Sequence, residues 1–246
     1  MVRLVGLILA LILAVRPVGA AERVDLALIL AVDVSRSIDS EEYDLQKQGY
    51  AQALVDPRVM NAIRSGPHRA IAIAYVEWSD VASQETVVDW SVLSDEESAQ
   101  VFTAAVLAAP RRFWDRTSIS GAIDHSVRLF RTGPFTADRH VIDVSGDGIN
   151  NSGRSITQAR DEAVAQGITI NGLVIINSRR FPGQPPLPPL DEYYIENVIG
   201  GQNAFVIVAN NFGDVATAVL SKLIKEIAGG PANQPSHQLA RLTDAP

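Results

Sequence analysis

The sequence has 246 residues, of which 47% are hydrophobic and 20% are charged, and it contains no cysteine. This composition is typical of a globular chain and excludes a disordered, collagen-like or multi-span membrane protein. The formal net charge of −7 argues against a nucleic-acid binder, because such proteins normally carry a basic surplus. Without cysteine the chain forms no disulfide, thiolate zinc site, iron–sulfur cluster or lipid-modified cysteine anchor.

Residues 1–20 have the features of a secretory signal peptide. Arg3 supplies a positive start, the segment from Leu4 to Val15 is apolar, and Val18-Gly19-Ala20 offers the small residues that signal peptidase needs. The apolar run falls well short of the ~20 residues of a membrane-spanning helix, which disfavours a retained anchor. We therefore expect export to the periplasm or the extracellular space, with no stable membrane span after cleavage.

The rest of the chain alternates apolar runs with segments of helical period, a pattern typical of a parallel sheet covered by helices on both faces. We predict six strands, at residues 26–32, 70–77, 85–90, 140–145, 168–176 and 204–209. We predict helices from about residue 39, at 94–108, at 119–130, at 155–167 and at 214–228. The fold class is thus α/β: a Rossmann-like, doubly wound, six-stranded and mostly parallel sheet, with one antiparallel edge strand at 85–90.

We expect a single domain over residues 21–230, following the signal peptide. Residues 231–246 hold few large apolar side chains and are predicted to be a disordered tail. Five of the 13 prolines lie at 178–190, which predicts an extended, semi-rigid loop within the domain.

The first strand runs into Asp33-Val34-Ser35-Arg36-Ser37. In an extended segment this spacing places one carboxylate and two hydroxyls on the same side. Hard cations such as Mg²⁺ prefer oxygen ligands of this kind. Asp and Ser are also common between strands and helices as helix caps, so this motif taken alone favours capping.

Two further segments bring oxygen ligands to the same edge of the predicted sheet. The fourth strand runs into Gly146-Asp147-Gly148, and ligands of open parallel sheets bind at the carboxyl ends of strands whose helices leave to opposite faces. Asp33 and Asp147 are therefore expected to lie close together. Thr117, before the helix at 119–130, either caps that helix or points into the same crevice.

These three segments resemble the von Willebrand factor type A (vWA) domain and its metal-ion-dependent adhesion site (MIDAS). In that family an Asp-x-Ser-x-Ser motif, a Thr from a second loop and an Asp from a third loop surround one divalent ion. The resemblance extends from Val24 to Ala228 and is greatest to a bacterial branch of secreted members of unknown function, notably in VIDVSGDGINN and YYIENVIGG. It implies a vWA-like fold and the metal ligands Asp33, Ser35, Ser37, Thr117 and Asp147.

The resemblance also implies a binding function. One divalent cation, Mg²⁺ by preference with Mn²⁺ or Ca²⁺ left open, would capture an Asp or Glu side chain of a protein or peptide partner. Two carboxylates compensate a doubly charged ion without over-neutralising it. A coordination position held by water is then available to an outside oxygen.

Enzymatic functions have less support. The sequence contains no HExxH, Gly-x-Ser-x-Gly, GxGxxG or GxxxxGK[ST] motif, and we expect no catalysis. Two alternatives stay open: a Mg²⁺-dependent hydrolase of the phosphoesterase kind that uses Asp33 and Asp147, and a scaffold whose site has lost its metal.

Three features near the predicted site depart from the family or allow two interpretations. Gly146 stands where the family often has a Thr, so the outer-shell hydroxyl of that Thr is missing here. Asp143 lies inside the fourth strand and is expected to be a buried carboxylate held by hydroxyls or amides, not a ligand. The segment Arg111–Arg116 either recognises a partner or packs Phe113 and Trp114 beneath solvated arginines.

Overall fold

The computed structural model of the chain describes residues 21–176, 188–229 and 238–241. The predicted signal peptide, residues 178–187 of the predicted proline-rich loop and most of the predicted tail lie outside these ranges.

Nine strands form the described β-structure. In chain order they are β1 (Glu22–Val24), β2 (Leu26–Asp33), β3 (Ile71–Trp78), β4 (Gln84–Leu93), β5 (Phe135–Ala137), β6 (His140–Gly146), β7 (Ile168–Ile175), β8 (Phe205–Ala209) and β9 (Gln238–Arg241). Seven of them make one sheet in the order β4-β3-β2-β6-β7-β8-β9. Every neighbouring pair in it is parallel except β3 and β4, so the predicted antiparallel edge is confirmed. Strands β1 and β5 form a separate parallel pair.

Seven α-helices connect these strands. They are α1 (Ser40–Leu54), α2 (Pro57–Ser65), α3 (Glu96–Ala108), α4 (Ile119–Phe130), α5 (Ile156–Val164), α6 (Leu190–Tyr193) and α7 (Val215–Ala228). Asp39 and Glu42 form a capping box at the start of α1, where the sequence predicts a helix to begin. The helix predicted to begin at residue 94 starts later, because its cap is Asp95 and not Ser94. The Asp95 carboxylate accepts a hydrogen bond from the Ser98 amide at 2.8 Å.

The sheet is covered on both faces, as the apolar runs predict. Alternate residues of β2 enter different cores: Leu28 and Leu30 pack with residues of α1, α2, α3 and α7, whereas Ile29 and Ala31 pack with residues of α4 and α5. All eight residues of β2 are buried. Side chains on successive strand positions point to opposite faces, so a strand buried on both sides reads as an unbroken apolar run.

The predicted doubly wound fold is confirmed, with additions that the sequence patterns did not predict. They are the short strands β1 and β5, the helices α2 and α6, and β9, which pairs with β8 inside the segment predicted to be a disordered tail. The start of α2 carries a readable signal, since Asp56 caps it and Pro57 occupies its first position. Strand β9 has only four residues, and pairing with the edge of β8 is what defines it.

The order of the strands reverses between β2 and β6. From β2 the chain continues to β3 on one side, and it later returns through β6 on the other side. Helices that follow these two strands therefore lie on opposite faces, which leaves a crevice at the carboxyl edge. Asp33 ends β2 and Gly146 ends β6, so both predicted carboxylate segments lie at this point.

A buried charge cluster lies in the core near β6 and α7. Asp143 is fully buried as predicted, but its partner is the ammonium group of Lys222 and not a hydroxyl or amide. Lys222 also contacts Glu226 at 2.5 Å, and the Asn171 amide donates to the same Glu226 oxygen at 2.8 Å. Burial raises the pKa of Asp143 to about 7, although the Lys222 charge opposes that change. One ammonium thus faces two buried carboxylates.

Candidate metal centre

Asp33 projects from the end of β2 and is completely buried. Its Oδ1 atom accepts a hydrogen bond of 2.7 Å from the Ser35 amide, which turns the chain out of the strand. Its Oδ2 atom is buried with no hydrogen-bond partner among the described residues. A buried carboxylate oxygen without a partner is costly, so this atom is suited to a cation.

The three hydroxyl side chains of the predicted site form one continuous chain of contacts that ends on Asp147, and the Ser35 amide links this chain to Asp33. Ser35 Oγ lies 3.2 Å from Ser37 Oγ, and Ser37 donates to Asp147 Oδ1 at 2.7 Å. Thr117 donates to Ser35 Oγ at 3.4 Å. The structure therefore brings together all five residues that the sequence predicts: Asp33, Ser35, Ser37, Thr117 and Asp147.

Thr117 faces the crevice and does not cap α4. The cap is Ser118, whose hydroxyl accepts a hydrogen bond from the Gly121 amide at 3.2 Å. Two asparagines of the loop after β6 hold the Thr117 segment in place: the Thr117 amide donates to Asn151 Oδ1 at 3.0 Å, and the Ser120 amide donates to Asn150 Oδ1 at 2.9 Å. The sequence analysis assigned no role to either asparagine, although they lie two and three residues after Gly148.

Arg111 holds the Asp33–Ser37 loop in shape. One of its terminal nitrogens donates to the carbonyl oxygens of Val34, Ser35 and Ile38 at 2.9, 3.0 and 2.8 Å. Neither predicted role of the Arg111–Arg116 segment describes this contact, since Arg111 is neither solvated nor aimed at a partner. The aromatic residues of the segment differ: Phe113 packs against the core, whereas Trp114 is 57% exposed.

We expect Arg111→Met to weaken cation binding about 10- to 100-fold, because it removes the donor that orients the loop without removing any of the five oxygen side chains. It also leaves buried carbonyl oxygens without their donor, which lowers the unfolding temperature. Isothermal titration calorimetry with Mg²⁺ or Mn²⁺ measures the first effect. Arg112→Met is the matched control, since Arg112 is exposed and pairs with Glu85 on the surface. Equal affinities for the two variants would contradict this role of Arg111.

Gly146 leaves room for Tyr194, whose hydroxyl lies beside the site. A Cβ atom added at Gly146 would lie 2.8 Å from the Tyr194 hydroxyl and 3.0 Å from Asp33 Oδ2. Tyr194 is fully buried, and its hydroxyl has no hydrogen-bond partner among the described residues. Burial raises the pKa of Tyr194, and the nearby carboxylates of Asp33 and Asp147 raise it further. A tyrosine hydroxyl thus occupies the space that a threonine side chain at residue 146 would need.

Gly146→Ala is expected to destabilise the protein by about 1–3 kcal/mol through overpacking against that hydroxyl. Tyr194→Phe removes the oxygen that makes the closest contact. In the Tyr194→Phe protein, Gly146→Ala should therefore lower the free energy of unfolding by less. A double-mutant cycle by chemical unfolding measures the coupling, expected at about 0.5 kcal/mol or more. If the two substitutions lower the free energy of unfolding additively, the Tyr194 hydroxyl does not restrict the size of the side chain at residue 146.

The electrostatics of the site favour a cation. Burial raises the pKa of Asp33 well above its ordinary value, and the neighbouring carboxylate of Asp147 adds to the increase. A bound divalent ion would relieve both effects, because it supplies positive charge next to both carboxylates. The donor set consists of two carboxylates and three hydroxyls, and this all-oxygen chemistry fits a hard divalent ion.

A second group of metal-ligand type lies elsewhere in the described part of the chain. Asp25, His68 and Asp138 each offer one ligand atom, and the three atoms lie within 4.8 Å of one another. Sequence reasoning missed this group because it examined only the carboxyl ends of the strands. All three residues precede strands, at the opposite edge of the sheet.

A family model described as "Protein of unknown function (DUF1194)" matches residues 23–231. The chain belongs to this family. Its description assigns no activity to DUF1194 proteins. No protein in a search of curated sequences matches this member of the family.

Solved structures of vWA domains are similar to this DUF1194 protein. Proximal thread matrix protein 1 from the mussel byssus, in a structure with a zinc-occupied MIDAS motif, is 20% identical and has a TM-score of 0.62, over 85% of this chain and 50% of the other. A von Willebrand factor type A protein from Catenulispora acidiphila is 13% identical with a TM-score of 0.58, over 83% and 43% of the chains. The pilus adhesin SpaC from Lactobacillus rhamnosus GG is 13% identical with a TM-score of 0.60, over 85% and 32%.

These similarities confirm the predicted vWA fold. The chain spans between about a third and a half of the length of these proteins, and the identities are low, so the comparison concerns the fold. None of the helices in ranges 21–176 and 188–229 has both the length and the apolar character needed to cross a membrane.

Proposed function

We propose that this DUF1194 protein binds one divalent cation through Asp33, Ser35, Ser37, Thr117 and Asp147. The observation that supports the proposal is the contact chain that links these five residues, together with a buried Asp33 oxygen that has no hydrogen-bond partner among the described residues. The all-oxygen donor set favours Mg²⁺, with Mn²⁺ or Ca²⁺ as alternatives. The vWA structure with a zinc-occupied MIDAS motif supports a divalent ion in this position of the fold.

The bound ion would capture an Asp or Glu side chain of a protein or peptide partner. Three of the five ligands are neutral, so the two carboxylates balance the ion and leave it able to accept a further anionic oxygen. Mg²⁺ usually retains several waters, and a partner carboxylate can replace one of them. A capture mode of this kind needs no catalytic residue.

Exposed apolar side chains border the site and suit a partner surface. Val81 is 55% exposed and Trp114 is 57% exposed. Val81 lies on the loop whose Ser79 carbonyl oxygen accepts from the Ser118 amide, next to Thr117, and the Trp114 ring packs over Arg111. Aromatic and apolar side chains around a polar centre are typical of protein interfaces.

A binding function is more consistent with the site than hydrolysis. The described histidines all have contacts elsewhere: His68 with Asp138, His125 with Thr86, and His140 with the Phe130 ring. Phosphoester hydrolysis by Asp33 and Asp147 would need a further base or nucleophile. We therefore infer that the protein is not an enzyme, in keeping with relatives of the same fold whose names denote an adhesin and a matrix protein.

We place the protein outside the cytoplasm, in the periplasm or the extracellular space. In this proposal residues 1–20 are removed, residues 21–230 form the vWA domain and residues 231–246 form a tail that adds β9 to the sheet edge. The apolar run at Leu4–Val15 and the small residues before Ala21 support the cleavage.

Paired peptide arrays test the capture of acidic side chains. The arrays carry random peptides that differ only in one Asp or its Asn counterpart, and the protein is applied in Mg²⁺ or with a chelator. We expect retention on a subset of Asp peptides in Mg²⁺, and loss of that retention with the Asn counterparts, with chelator and with Thr117→Ala. Equal binding to Asp and Asn peptides would contradict the proposal, and turnover of a generic phosphoester lost in Asp33→Ala would favour the hydrolase.

A further inference from the structure

A polar cluster of mixed ligand type lies at the amino edge of the sheet. Asp25 directly precedes β2, while His68 and Asp138 shortly precede β3 and β6. These three strands are adjacent and parallel, so the segments before them meet at one edge. Asp25 and Asp33 lie eight positions apart along β2, which corresponds to about 26 Å at ~3.3 Å per residue. The cluster is therefore distinct from the candidate metal centre.

Hydrogen bonds already link the three residues, one between side chains and one from a backbone amide. His68 Nε2 lies 3.1 Å from Asp138 Oδ2, and the His68 amide donates to Asp25 Oδ1 at 2.9 Å. One ligand atom from each residue lies within 4.8 Å of the other two. The cluster combines one imidazole nitrogen with two carboxylate oxygens, whereas the candidate metal centre contains oxygen donors alone.

Asp25 supplies an independent observation that points to a ligand. The residue is only 8% exposed, and its Oδ2 atom is buried with no partner among the described residues. A Cβ atom at Gly66 would lie 2.2 Å from this oxygen, so only glycine leaves room for the carboxylate. An unpaired oxygen in a buried position is costly unless a donor or a cation satisfies it.

The neighbouring arginines make no hydrogen bond to this oxygen, although Arg139 is close enough for its charge to interact with Asp25 and Asp138. Arg23 contacts Asp138 Oδ1 at 3.4 Å from a side chain that is 64% exposed, which leaves Asp138 Oδ2 facing His68. Arg139 donates to the carbonyl oxygens of Glu226 and Ile227 at 2.9 and 3.1 Å, at the end of α7. The Asp25 oxygen thus remains available, and the partly exposed His68 gives access from solvent.

We propose that Asp25, His68 and Asp138 form a second divalent-cation site that takes Zn²⁺. Imidazole nitrogen and carboxylate oxygen are ordinary zinc ligands, and three protein ligands with one water complete a tetrahedral shell. Bonds of about 2.0–2.2 Å place tetrahedral ligand atoms roughly 3.3 Å apart, and the His68–Asp138 pair already has nearly this spacing. The ion would tie together the segments that lead into the three central strands.

Zinc binding by the full chain in excess Mg²⁺ tests this site, since Mg²⁺ occupies the all-oxygen centre. Native mass spectrometry and isothermal titration calorimetry are expected to show one bound Zn²⁺ per chain. His68→Ala and Asp138→Asn should each weaken this binding more than about 100-fold, beyond the effect of losing an outer-shell partner. Asp33→Asn leaves it unchanged, which separates this site from the proposed function.

Asp138→Asn keeps the shape of an exposed side chain and therefore remains informative even if His68→Ala unfolds. Asp89→Asn is the matched control, because it removes an exposed carboxylate that is not one of the three cluster residues. Two results would overturn the proposal: no Zn²⁺ bound in excess Mg²⁺, or Zn²⁺ binding that Asp138→Asn leaves unchanged.

Discussion

Asp33→Asn is expected to reduce the affinity for Mg²⁺ or Mn²⁺ by more than about 100-fold, a greater loss than a change to an outer-shell partner causes. The substitution keeps the shape of the side chain but removes the buried charge that the cation would neutralise. Because burial raises the pKa of Asp33, the metal-free protein gains from losing this charge, and its unfolding temperature should stay the same or rise. Calorimetry and thermal unfolding separate the two effects.

A metal-dependent rise in unfolding temperature provides a second readout. A ligand present at 100 times its Kd stabilises the folded state by about 2.7 kcal/mol. The unfolding temperature of the wild-type protein should therefore rise when metal is added, and that of Asp33→Asn should not. Asp147→Asn should behave in the same way, since Asp147 anchors the other end of the hydroxyl chain. Asp115→Asn is the matched control: this carboxylate is exposed, lies on the neighbouring loop and is not among the five ligands. Unchanged metal affinity in Asp33→Asn would refute the proposed site.

Lys222→Met is expected to destabilise the protein by about 3–5 kcal/mol, because it leaves two carboxylates buried without their common cation. Lys222 is fully buried and contacts both Asp143 and Glu226. The loss should be greatest at high pH, where Asp143 is ionised, and smaller in mild acid, where a proton on Asp143 takes the place of the ammonium charge. Urea unfolding at about pH 5 and about pH 8, on either side of the raised Asp143 pKa, measures this difference in stability loss.

The neighbouring Lys225 offers a matched control for this prediction. Lys225→Met removes one positive charge from the same helix, but Lys225 is only partly buried and lies over the Phe205 ring. Lys225→Met should lower the free energy of unfolding by about 0.5–1 kcal/mol. Adding Asp143→Asn and Glu226→Gln to Lys222→Met should restore most of the lost stability. A Lys222→Met variant as stable as the Lys225→Met control would show that the cluster does not depend on the ammonium.

The fold was largely predictable because its signals are local. The apolar run of β2 reflects burial on both faces, and the apolar stripe of α4 reflects burial on one face. Each of these patterns can be recognised within a short stretch of sequence. The short strands β1 and β5 carry no such signal. They pair with each other across more than a hundred residues, and the pairing itself is what makes them strands.

The five residues of the candidate metal centre come from the resemblance to the vWA family, and metal binding by them stays a prediction. Asp33 and Asp147 follow apolar strands at the reversal of the strand order, so topology alone brings them to one edge. The residues that shape the centre were not predictable. Arg111 donates to the carbonyl oxygen of Ile38, which lies 73 positions earlier in the chain. Tyr194, from the segment after β7, fills the space beside Gly146.

The alternation of strands and helices and the oxygen-bearing loops at the strand ends can be read from the chain, because they depend on the spacing of neighbouring residues. The distant side chains that complete them became known from the folded molecule. The partner of Asp143 is Lys222 and the partners of His68 are Asp25 and Asp138, and none of these pairings follows from any local pattern. Such contacts arise where separate elements pack, and packing is decided by the whole fold at once.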